Sequence, residues 1–299
     1  MRKPWVVGVL LAGVLLGGCG DPASAPEEPA PAAPSASATT HQRSPASPGP
    51  EPKRAPTVLY LGDSLAMEGQ EVLGEELRRD LKAKYTGAPY SGTTLCDYLE
   101  GTADRSLVPA ADKAAALVRR LRPDFVVLQF WGNSWGYTPC MDGITYGRSP
   151  ARYFTRYDAD ARRLTEQIAA AGSGGRPRIV WVSQGPDPIT PERIRRVNAL
   201  YEKRAAVSGD LVADAGKAVS PATGRYTWAQ YLPCTAYERS HPGFCTQSGR
   251  DRTTLHRDDD YLHFCLAPTT SKPKPCPVRS PGILRIAREI TKTVRQAAR

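Results

Sequence analysis

The chain has 299 residues and a formal net charge of +10 at pH 7, with 40 Lys and Arg against 30 Asp and Glu. Its aromatic residues do not interleave with basic clusters, which argues against a nucleic-acid reader. The excess charge fits a solvated basic surface, or an affinity for anionic envelope polymers and lipid head groups.

The first residues have the form of an export signal: Arg2 and Lys3, then a short apolar core from Trp5 to Leu16. That core is too short to span a bilayer comfortably, and no later segment is long and apolar enough to do so. It ends in Leu16-Gly17-Gly18-Cys19, which resembles the bacterial lipobox. The resemblance implies cleavage before Cys19 and a diacylglycerol on its thiol; an ordinary signal peptide with a chance cysteine is the rival. Loss of Arg2 and Lys3 leaves a net charge of +8. Residues 20–55 are Pro, Ala and Ser with scattered charges, too poor in apolar surface to fold, and read as an extended tether. Residues 56–299 are long enough for one large domain.

Within that domain strands and helices alternate. Thr57–Leu61 is a continuous apolar strand, and Leu73, Leu77 and Leu81 recur at helical spacing after it. A helix is expected over Ala110–Leu121, ended by Arg122-Pro123, and a buried strand over Asp124–Phe130. Ser149-Pro150 and Thr190-Pro191 each read as an N-cap followed by proline, opening helices of about twenty residues. Arg178–Ser183 is a third strand and Leu211–Asp214 a shorter fourth. Ser280-Pro281 starts a last helix with Ile283, Ile286, Ala287 and Ile290 on one side. Such alternation predicts a mostly parallel sheet covered on both faces, a three-layer α/β/α fold. Residues 221–280 are loop-rich and predict an irregular lobe stapled by disulfides.

Six cysteines remain beyond Cys19: Cys96, Cys140, Cys234, Cys245, Cys265 and Cys276. An even number in an exported domain argues for up to three disulfides. Zinc is disfavoured because no C-x-x-C pair exists. Spacing leaves the connectivity open; short loops favour 234–245 and 265–276, with 96–140 left by proximity.

Two serines have contexts suited to a nucleophile. Ser64, in Gly62-Asp63-Ser64-Leu65, follows the apolar run Val58–Leu61 and opens a helical pattern. A serine there exposes its Oγ, and neighbouring N–H groups can face developing negative charge. Ser134, in Gly132-Asn133-Ser134-Trp135-Gly136, matches the G-x-S-x-G pattern, but loop residues follow where that pattern needs a helix. Of four histidines, His41 lies in the tether, and His241 and His256 lack an acid at fixed spacing. His263 lies three residues after Asp260, a spacing that can bring the carboxylate to Nδ1–H and leave Nε2 to take a serine proton.

Together these segments resemble the SGNH (GDSL-type) hydrolases over roughly residues 57–299, in the family's order. The resemblance implies that fold, with a flavodoxin-like sheet, and makes Ser64 the nucleophile, His263 the base and Asp260 its orienting acid. It makes Ser64, Gly92 (in Tyr90-Ser91-Gly92-Thr93) and Asn133 the oxyanion donors, so Asn133 rather than Ser134 explains the Gly132-Asn133 pair. Two departures stand out. Ser134 follows Asn133 where Asp is common, and residues 264–279 separate His263 from the last helix. Phe130, Trp131, Trp135 and Tyr137 flank Asn133; Trp131 and Trp135 are candidates for substrate contact, with packing under the lobe as the alternative.

The expected activity is that of an exported, membrane-tethered serine esterase cleaving O-acyl esters, acetyl on a cell-envelope glycan among them, through an acyl-Ser64 intermediate. It would need no metal or organic cofactor, bind no nucleic acid and act as a monomer. The rivals are an acyltransferase with the same triad and an inactive glycan-binding module.

Overall fold

The computed structural model describes residues 54–299 apart from 134, 135, 225, 271 and 273. The export signal, Cys19, the tether up to residue 53, Ser134 and Trp135 lie outside the described residues. Among the described residues no helix is long and apolar enough to cross a membrane.

The apolar run at the start of the domain forms β1 (Thr57–Gly62) and leads directly into α1 (Ser64–Leu81). The chain returns as β2 (Lys84–Gly87), then passes through short 3₁₀ turns to α2 (Ala114–Leu121) and β3 (Phe125–Gln129). Next come α3 (Pro150–Ala171), β4 (Arg178–Val182), α4 (Pro191–Ser208), β5 (Leu211–Ala213) and the single turn α5 (Ala215–Ala218). The lobe holds β6 (Tyr231–Pro233), α6 (Ala236–Ser240) and β7 (Arg252–Thr254), and the domain closes with α7 (Pro281–Ala297).

The five main strands are all parallel, in the order β2-β1-β3-β4-β5. This is the doubly wound, flavodoxin-like order, in which a crevice opens beyond the carboxyl ends of the strands where the order reverses. Here the reversal falls between β1 and β3. Alternate residues of each strand enter opposite cores. Leu59, Leu61, Val126, Leu128 and Trp181 pack with α2, α3 and α4; Val58, Tyr60, Val127, Val180 and Val182 pack with α1 and α7. Burial on both faces explains why these strands read as unbroken apolar runs.

Three sequence expectations change. The helix expected from Ala110 begins at Ala114, because Lys113 is extended (φ −60°, ψ 146°) after a 3₁₀ turn at Ala110–Asp112. Lys113 is buried, and its Nζ donates to the Asp97 carbonyl (2.5 Å) and to Ser106 Oγ (2.7 Å), which holds the backbone out of the helix. Strand β2 was not anticipated: four residues on a sheet edge, exposed or half-buried, carry no apolar run. Ser149 and Thr190 occupy N-cap positions, but neither side chain caps its helix. Thr190 Oγ1 instead donates to Asp187, which also accepts the N–H groups of Ile189 and Thr190.

The lobe is stapled as a loop-rich unit. Disulfides join Cys234 to Cys245 and Cys265 to Cys276, with Cα atoms 5.6 Å apart in each. A third joins Cys96 to Cys140 and ties the turn at Leu95–Tyr98 to the loop beyond β3. β6 and β7 form a separate antiparallel pair.

Candidate active site

The site begins where β1 ends. A Cβ on Gly62 would lie 2.1 Å from the Gln129 carbonyl oxygen, so glycine is required for β1 and β3 to approach there. Asp63 is the N-cap of α1, and its carboxylate accepts the N–H of Leu65 (3.0 Å) and of Trp131 (2.6 Å). Burial raises its pKa to about 6, against the lowering effect of those two bonds. Ser64 is the first residue of α1, where the backbone N–H has no intrahelical acceptor.

Ser64 Oγ lies 2.9 Å from His263 Nε2, and His263 Nδ1 lies 3.0 and 3.2 Å from the two carboxylate oxygens of Asp260. A carboxylate only accepts, so Nδ1 carries a hydrogen, and in the neutral form of the ring the lone pair of Nε2 faces Ser64. Asp260 also accepts the N–H groups of Leu262 and His263, both at 3.1 Å, which wraps the turn around its side chain. Burial would raise the Asp260 pKa, but the bond to His263, its charge and the two N–H groups hold it well below the ordinary carboxylate range. Burial would lower that of His263; the bond to Asp260 and the charges of Glu68, Asp260 and Asp63 outweigh it and raise the value to about 9.

Asn133, beyond β3, donates from Nδ2 to the Gly92 carbonyl at 2.8 Å. Gly92 has φ +77°, a left-handed conformation that favours glycine. Ser64, Gly92, Asn133, Trp131, Tyr137 and His263 line one cavity of about 440 Å³. A second cavity of about 390 Å³ shares Ser64 and His263 and is walled by Met67, Ala267, Pro268, Pro277 and the Cys265–Cys276 loop. Ser64 thus stands where the two cavities meet.

The flanking aromatics separate. Phe130 is fully buried, its ring edge-on to Tyr98 at 5.3 Å, so it belongs to the core and not the cleft. Trp131 is also buried, but it lines the first cavity. Its indole is held by the Arg193 guanidinium 4.1 Å from the ring, and Arg193 is itself paired with Asp187 at 3.1 Å. Tyr137 is exposed at the cavity rim.

Sequence reasoning passed over Glu68 and His256, both buried beside the triad. The available signal was an acidic residue one turn after Ser64 among the apolar positions of an amphipathic helix. His256 carried no comparable mark.

Fold and site together define a three-layer α/β/α protein with a Ser-His-Asp relay at the carboxyl edge of its parallel sheet. No protein-family description matches the chain, and no curated protein matches it. Solved structures similar to it include the psychrotrophic esterase EstA from Pseudoalteromonas sp., at 13% identity over 81% of this chain and 97% of that one, TM-score 0.43. The periplasmic domain of a lipopolysaccharide acetyltransferase from Salmonella ser. Paratyphi A aligns at 10% identity over 81% and 84%, TM-score 0.45. A member of the lipolytic G-D-S-L family from Veillonella parvula aligns at 10% identity over 79% and 96%, TM-score 0.41. At these values the likenesses carry no argument about chemistry, which rests on the geometry above.

Proposed function

We propose that the chain is an SGNH-type serine esterase that cleaves O-acyl esters through an acyl-Ser64 intermediate. The observation that carries this reading is the contact of Ser64 Oγ with His263 Nε2 at 2.9 Å, with Asp260 on the far side of the imidazole. In acylation, Nε2 takes the Oγ proton as Oγ attacks the ester carbonyl carbon. The carbonyl oxygen becomes an oxyanion, met by the N–H groups of Ser64 and Gly92 and by Asn133 Nδ2. Collapse of the tetrahedral intermediate expels the alcohol, which leaves with the proton from His263. A water then gives its proton to Nε2 and attacks the acyl-serine, releasing the acid and restoring Ser64.

An acyltransferase is the second reading, favoured by the two cavities that meet at Ser64. One can hold the acyl group while the other presents a hydroxyl acceptor in place of water. Acceptor-dependent loss of free acid from the acyl-enzyme distinguishes the two. The finer substrate reading is a short acyl group such as acetyl on a cell-envelope glycan. Three disulfides fit an oxidising, extracytoplasmic compartment. The lipobox-like Leu16–Cys19 supports a lipid anchor that tethers a monomeric domain to the membrane. An inactive glycan-binding module would have no need of an intact relay.

A fluorophosphonate probe tests the reading. Wild type and Ser134→Ala should label and Ser64→Ala should not. Labelling that persists in Ser64→Ala but is lost in Ser134→Ala would overturn it.

A further inference from the structure

We propose that Glu68 and His256 are positioning residues: together they clamp the peptide that carries His263 and hold its imidazole against Ser64. The proposal rests on the reading of Ser64 and His263 as nucleophile and base.

The need for a clamp follows from the chain. His263 is not carried on a helix or strand; the loop from Phe264 to Ser280 separates it from α7. A displacement of about 1 Å at a catalytic group can cost about 10²-fold in rate. A side chain on such a loop therefore needs outside support.

The structure supplies it through three backbone groups in a row. The His263 carbonyl accepts from His256 Nδ1 at 2.9 Å. The Phe264 N–H donates to Glu68 Oε1 at 2.9 Å, and the Cys265 N–H donates to Glu68 Oε2 at 3.2 Å. The Glu68 backbone carbonyl also accepts the Cys276 N–H at 3.0 Å, so both ends of the Cys265–Cys276 loop are tied to one residue. Glu68 lies one turn beyond Ser64 on α1. The nucleophile and the peptide bearing the base are thereby fixed to the same rigid helix.

The chemistry of the two groups agrees with this use. A carbonyl only accepts, so Nδ1 of His256 carries its hydrogen and Nε2 is bare; Nε2 has no partner among the described residues. His256 is buried between the rings of Trp228 and Phe264, and burial lowers its pKa to about 4, which keeps it neutral. Glu68 is buried as well, and burial raises it to about 7 against the pull of His263 and the two N–H groups. Burying a carboxylate in a core is costly unless its lone pairs are used. Here both oxygens go to the two residues after His263.

The rival account is a purely structural role, and α1 provides its control. Glu76 is buried on the same helix but pairs with Arg79 and Arg288, away from the His263 loop. Steady-state hydrolysis of nitrophenyl acetate and the rate of fluorophosphonate labelling would be measured below the melting midpoints of all variants. Glu68→Gln keeps the shape but sets an amide N–H against a backbone N–H. It should lower kcat and the labelling rate at least ten-fold while KM stays within two-fold. Glu76→Gln should lower the melting midpoint and leave kcat within two-fold of wild type. His256→Gln should lower kcat as Glu68→Gln does, and it stands in if Glu68→Gln does not fold. A folded Glu68→Gln or His256→Gln with wild-type kcat overturns the proposal, as does a kcat loss in Glu76→Gln equal to that in Glu68→Gln. Failure of the underlying reading shows separately, as labelling that survives Ser64→Ala.

Discussion

The carboxylate of Asp63 accepts the backbone N–H of Trp131 at 2.6 Å, joining positions 68 residues apart in sequence. This bond fastens the turn that presents Ser64 to the loop that presents Asn133. The other Asp63 oxygen caps α1 through Leu65 N–H, so one buried side chain sets both the start of the helix and the far wall of the cleft. In Asp63→Asn, one oxygen becomes an amide that cannot accept. A buried N–H left without its acceptor costs about 1–3 kcal/mol. Urea unfolding should show a loss in that range, and kcat should fall further than stability alone would require. An unchanged unfolding midpoint would contradict this account.

The raised pKa of His263 sets opposite pH trends for activity and stability. The group moves from its ordinary 6.5 to about 9 on folding. Its contribution to stability is therefore complete below pH 6.5 and is lost as pH rises through about 9. Catalysis needs the neutral imidazole, so kcat/KM should climb over the same window while the melting midpoint declines. In Asp260→Asn the ionic bond and the Asp260 charge that raise His263 are gone, while the charges of Glu68 and Asp63 remain. The acid limb should move to lower pH, and kcat should drop by roughly 10²–10⁴. A wild-type profile that is flat between pH 6 and 9 would remove His263 as the titrating base.

Asn133 and Gly92 are coupled through the bond from Nδ2 to the Gly92 carbonyl. Asn133→Ala removes the contact to the Gly92 peptide and, under the proposed mechanism, one oxyanion donor. Loss of one such donor typically costs about 2.7–4 kcal/mol, or 10²–10³ in kcat. Gly92→Ala retains the N–H, and its Cβ would meet nothing closer than Leu107 at 3.7 Å. The cost there is the left-handed backbone, about 1–2 kcal/mol, and it should appear as a smaller fall in both stability and kcat. Equal activity in wild type and Asn133→Ala would exclude the side-chain donor.

The Cys96–Cys140 disulfide closes a loop with a sequence separation of 44 and anchors the segment that follows Asn133. On loop entropy, its removal costs about 4 kcal/mol. Denaturant unfolding of Cys96→Ala/Cys140→Ala should show up to that loss. The Cys234–Cys245 and Cys265–Cys276 loops, each with a separation of 11, should cost about 3 kcal/mol. A smaller loss for the 96–140 pair than for either short loop would contradict the entropic ordering.

What the sequence determined by itself is local and periodic. β1, β3 and β4 were legible because strands buried on both faces must be apolar throughout, and β5 as a short apolar run. α1 and α7 were legible from apolar positions at helical spacing, and α3 and α4 from the Ser-Pro and Thr-Pro pairs that open them. The Gly62–Leu65 turn and the Asp260-to-His263 spacing were legible because each is a short-range constraint on one piece of backbone. β2 and the Lys113 break were not, since a half-buried edge strand and a buried lysine bonded to Asp97 and Ser106 leave no periodic trace. Only the tertiary structure decided which groups meet across long separations. It set Ser64 against His263, 199 residues apart, turned Phe130 into the core, held Trp131 at the cleft, and put Glu68 and His256 behind the loop that carries His263. Those outcomes depend on how layers pack and where buried polar groups find partners, and neither is encoded in the spacing of residues along the chain.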